Sequence, residues 1–71
     1  MNVYKVVFAD GKVKADICDV PICKELQNKI VPNPVNRGQF MFYTEAVNEE
    51  AAKNYFKFAF MIFLRERGLV I

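Results

Sequence analysis

The 71-residue sequence predicts a small α+β domain spanning residues 1–71. Three observations carry that prediction. An Asp-Gly pair separates two runs rich in β-branched and aromatic residues. A third such run follows a loop rich in Pro and Asn. Residues 49–67 then combine an acidic start, a basic end and good helix formers. The expected order is β-β-α-β-α, with both helices on one face of a small, largely antiparallel sheet. Leu69, Val70 and Ile71 are free to add a short final strand or to pack as a tail.

Residues 2–18 read as a β-hairpin. Val3, Tyr4, Val6, Val7 and Phe8 favour a strand, and Ala9-Asp10-Gly11-Lys12 supplies the turn. Asp-Gly suits a two-residue hairpin loop because both positions tolerate positive φ. The return strand alternates Val13, Ala15 and Ile17 with Lys12, Lys14 and Asp16, so one of its faces is wet. The first strand is apolar on both faces apart from Lys5, which places it in the sheet interior. Asp19 then caps a short helix with Pro21 in its first turn, where a missing N–H costs nothing. Ile22, Cys23, Leu26 and Ile30 form its apolar face, and Pro32 and Pro34 end it by Val31. Residues 31–38 form the long irregular segment, the default place for a binding loop, with Asn33, Asn36 and Arg37 as its candidate contacts. Residues 39–44 are the third strand.

Asn48 caps the second helix, Glu49 and Glu50 favour its positive end, and Gly68 terminates it. Phe56, Phe58, Phe60, Ile62 and Leu64 also alternate like a strand, but the flanking EEAAKN and RER-Gly decide for helix. At about 100° per residue, Ala51, Ala52, Tyr55, Phe56, Phe58, Ala59, Ile62 and Phe63 form one stripe facing the sheet. Phe60 sits at its margin, and Met61 and Leu64 fall beyond it among lysines. That is more apolar surface than one core face uses. Phe60, Met61 and Leu64, with Lys57 at the rim, are therefore the expected partner contacts.

Composition narrows the function. A chain of this length buries only about 60% of its unfolded surface, so pairing or stapling is expected to complete its core. A hydrophobic content of 54% and seven Phe exclude a disordered tail. The formal charge is +2, too small to steer nucleic acid strongly. Neither a membrane-length apolar run nor a signal-peptide core is present, which points to the cytoplasm. A disulfide between Cys18 and Cys23 is geometrically conceivable, because the chain turns at Val20-Pro21, but in an intracellular protein both read better as small buried hydrophobes with free thiols. Two soft ligands without His do not make a zinc site, so no metal or other cofactor is expected.

Ser–His and Cys–His catalysis is excluded, because the sequence has neither His nor Ser. Asp10, Asp16, Asp19, Glu49 and Glu50 each have a turn, strand-face or capping role, so no acid/base pair is left over. The three glycines stand singly, which is not a phosphate loop. Arg37-Gly38-Gln39-Phe40-Met41-Phe42-Tyr43 and the helix after it resemble the third strand and second helix of an RNA-recognition motif. The resemblance covers about one third of the chain and implies base stacking on the strand aromatics. Gln39 stands where that motif has an aromatic residue, and a hairpin precedes the first helix here. Phe40, Phe42 and Tyr43 fit better as core. The expected function is a non-enzymatic protein-interaction module or accessory subunit, self-associating as a homodimer through its long helix or binding another subunit. The alternative is a weak RNA- or DNA-binding domain using Arg37 and scattered lysines.

Overall fold

A computed structural model describes residues 2–18, 20–21, 25–36 and 38–68. It shows an α+β architecture: a four-stranded antiparallel sheet and a C-terminal helix. The strands are β1 (Asn2–Ala9), β2 (Lys12–Ile17), β3 (Ile30–Pro32) and β4 (Phe40–Ala46), and the helix α1 is Glu49–Glu66. Their order across the sheet is β2-β1-β4-β3.

The first hairpin follows its turn chemistry. Asp10 and Gly11 both take positive φ, at 54° and 73°, as the tight two-residue loop requires. The loop sets the register Val6↔Ala15 and Phe8↔Val13, which turns Val13, Ala15 and Ile17 toward the helix side. β1 lies between β2 and β4, which explains why it is apolar on both faces. Its pairing with β4 sets Val6 against Phe42 and Phe8 against Phe40 on the helix side, and Val7 against Met41 on the other.

The expected short helix is corrected in part. Asp19, Ile22, Cys23 and Lys24 lie outside the described residues. Gln27 bridges Tyr43, and Asn28 takes a positive φ of 63° with its N–H donated to the Tyr43 carbonyl at 2.6 Å. A left-handed residue ends any helical path, and Asn is among the few side chains that accept one. Ile30 therefore belongs to β3, opposite Phe42. Pro32 closes this edge strand, where no donor is needed. Leu26 packs with Cys18 against Val3 and Tyr43, on the sheet face away from α1. The expectation of two helices sharing one face is not matched: among the described residues, α1 covers one face of the sheet, and Leu26 and Cys18 pack on the other. Cys18 is disulfide-bonded, which corrects its reading as a free thiol. Cys23, the other cysteine of the sequence, and the suggested final strand at residues 69–71 lie outside the described residues.

α1 begins where its sequence says it does. The Asn48 side chain accepts the Ala51 N–H at 2.8 Å, and Glu49 and Glu50 occupy the first turn. Gly68, at φ 69°, follows the last turn and donates to the Arg65 carbonyl. The helix runs back across the sheet and closes a core of Tyr4, Val6, Ala15, Phe42, Ala46, Ala52 and Phe56.

Candidate functional site

The two flanks of α1 meet different surroundings. On one, Phe56, Phe60 and Phe63 join Phe8, Phe40 and Phe42 in a continuous ring network. Phe60 lies 5.1–5.2 Å from the rings of Phe40, Phe8 and Phe56, and Phe63 lies 5.6 Å from Phe40. Spacings of this size are typical of attractive aromatic pairs. The Arg67 guanidinium closes the end of the network, 4.3 Å above the Phe63 ring.

On the other flank, large apolar side chains face outward. Phe58 is 68% exposed, Ile62 57%, Met61 53% and Tyr55 49%, whereas Phe56 is 1% exposed. Below Phe58 and Ile62, two adjoining hollows of about 380 and 270 Å³ run along the helix. Asn28, Ile30, Phe42 and Thr44 form their floor. The buried Thr44 hydroxyl donates to Asn28 Oδ1 at 3.3 Å, so the polar part of that floor satisfies itself. Glu66 adds a carboxylate to the smaller hollow, and the larger one is otherwise mostly apolar.

This placement corrects the expected sheet-facing stripe. The helical spacing puts Tyr55, Phe58 and Ile62 on the core side, and they lie outside it. The helix is turned by somewhat under one residue step, about 100°, from the expected setting. Two causes are visible. The rings of Phe8 and Phe40 draw Phe60 inward. On the bare side β3 is only three residues long, and Leu26 packs on the opposite face of the sheet.

Of the expected contacts, Met61 and Lys57 are exposed, Leu64 is half-buried, and Phe60 is half-buried within the ring network. The signal for Phe58 was in the spacing. Phe56, Phe60 and Phe63 fall at i, i+4 and i+7, which is one helical face, and Phe58 stands about 200° from Phe56.

The expected binding loop is a hairpin connection between β3 and β4. Asn33 Oδ1 accepts the N–H groups of Val35 and Asn36, and Asn36 Nδ2 donates to Gln39 Oε1 at 2.9 Å. Both Asn side chains thus shape the turn; Arg37 lies outside the described residues. The aromatics of the RNA-recognition resemblance are not presented for base stacking: Phe42 is buried under α1 and Tyr43 under Leu26. The described cations are divided between two sides. Lys5, Lys12 and Lys14 stand on the sheet face away from α1, on the same face as Asp16; Lys53, Lys57 and Arg65 are on the helix with Arg67 at its C-cap, and Lys29 precedes β3.

Among the described residues, no group of three or more His, Cys, Asp or Glu side chains could hold a metal, and no helix is long and apolar enough to cross a membrane. Comparison with known proteins found no protein-family model, no curated protein and no solved structure that matches this chain.

Proposed function

We propose that this chain is a small non-enzymatic interaction module that self-associates through the bare flank of α1. The observation that carries the reading is the outward setting of Phe58, with Tyr55, Met61 and Ile62 beside it. Together they present on the order of 400 Å² of apolar surface, the size of the largest patch on a typical monomer and often a functional one. That is roughly half of the ~800 Å² that a stable interface takes from each partner, before any rim contacts. Burying one such side chain contributes about 1.5–3 kcal/mol, a large share of the stability of so small a domain. A second copy is the most economical partner, because small domains commonly complete their cores by self-association.

The test is solution mass by light scattering on a sizing column, over a wide concentration range. A concentration-dependent dimer is expected for the native chain. The Phe58→Glu/Ile62→Glu variant is expected to stay monomeric throughout while keeping its circular-dichroism spectrum and cooperative melting. A native chain that is monomeric at every concentration would overturn the reading. So would a variant that unfolds, because those side chains would then belong to the core.

A further inference from the structure

We infer that the second copy docks with its α1 antiparallel to the first, across a two-fold axis close to Phe58. The inference rests on the self-association reading and names its partner geometry. An isologous contact uses the same residues on both sides, so its charges must complement themselves. α1 carries its charge in a form that allows this in one direction only. Its first turn carries Glu49 and Glu50; its last turn carries Arg65 and, about 100° further round and outside the strip considered below, Glu66. At about 100° per residue, Glu50, Met61, Arg65 and Phe58 lie within a strip roughly 80° wide. Glu50, Met61, Arg65 and Phe58 are all exposed. The midpoint between positions 50 and 65 falls beside Phe58. A two-fold axis there sets Glu50 of each copy against Arg65 of the other, and their apolar strips meet between the charges. A parallel pairing would set Glu against Glu and Arg against Arg. The helix dipoles agree with this, since antiparallel helices bring opposite ends together. Arg67 is turned onto Phe63, which leaves Arg65 as the cation of the strip. Lys57, about 100° around the helix from Phe58, stays at the rim in water.

Charge exchange tests this geometry. Within one chain, Glu50 and Arg65 are about 22 Å apart along the helix, well beyond the 8–10 Å over which exposed charges interact in ordinary salt. Any coupling between them is therefore coupling between copies. Glu50→Lys alone, or Arg65→Glu alone, places two pairs of like charges in the symmetric dimer. Each is expected to raise the dimer dissociation constant roughly tenfold. The double variant restores opposite charges at both contacts, and is expected to return the constant to within about threefold of the native value.

Both changes also oppose the dipole of their own helix. Those losses add, so without contact between copies the double variant would be the weakest of the three. Rescue therefore supports the antiparallel pairing. A dimer that the single changes do not weaken, or one that the double change weakens further, overturns the geometry and leaves self-association standing. A native chain that is monomeric at every concentration overturns both. Circular dichroism of each variant confirms that the exchanges act on association and not on folding.

Discussion

The two flanks of α1 are built from similar residues and have opposite fates. One carries Phe56, Phe60 and Phe63, the other Tyr55, Phe58 and Ile62, and only the first is packed. Hydrophobicity does not separate them. What separates them is the surface beneath: Phe8, Phe40 and Phe42 offer rings on one side. On the other, hollows floored by Asn28, Ile30 of the three-residue edge strand, Thr44 and Phe42 leave Phe58 and Ile62 without close packing. Whether an apolar helical residue is buried or exposed is thus decided by the sheet it crosses.

The largest break in this comparison comes from Phe56. Its ring is fully buried and lies 6.0 Å from both Phe8 and Phe42. Phe56→Ala is expected to cost about 3–5 kcal/mol, from lost burial and from the cavity left behind. In a domain of this size that removes most of the stability. Urea denaturation should show a midpoint far below the native one, with a measurable unfolded fraction before denaturant is added. A midpoint close to the native one would mean that the ring network is not the stabilising flank.

Phe60→Ala sharpens the gradation. Phe60 touches four other rings but is only half-buried, so its loss is expected to cost about 2 kcal/mol. The urea midpoint should fall between those of Phe56→Ala and the native chain, with an unchanged slope, because the denatured state is the same. A cost below about 0.5 kcal/mol would place Phe60 with the exposed flank and return it to the set of contacts first expected from the sequence.

Local chemistry was legible in the residues, and non-local packing was not. The Asp10-Gly11 turn, the Asn48 cap and the stop at Gly68 need only neighbouring residues, and each appears where the sequence places it. The central place of β1 followed from its two apolar faces. Ile30 misled because its spacing from Leu26 suits a helix. The left-handed turn at Asn28 that breaks the helix is held by Tyr43, fifteen positions away. The side of the sheet that Leu26 covers was equally hidden, and with it the rotation of α1. The disulfide at Cys18 ran against an inference from compartment, not from geometry. Of the residues expected to lie beyond the core stripe, Met61 is exposed and Phe60 and Leu64 are half-buried, while Phe58 and Ile62, expected to face the sheet, are exposed.

Phe58→Ala gives the smallest effect on the isolated fold and the most direct reading of the comparison. Six of the seven phenylalanines share the ring network, and Phe58 is the one that does not. At a dilution where light scattering gives the monomer mass, its removal is expected to change stability by no more than about 0.5 kcal/mol. The same change should matter at high concentration. Association with a folded partner raises the melting temperature by mass action, so the native chain should melt higher as it is concentrated. Phe58→Ala should lose most of that rise, because in the proposed pair both copies lose a ring at the two-fold axis. If dilute Phe58→Ala instead loses more than about 1 kcal/mol, the ring is packed within its own chain and the two flanks are alike.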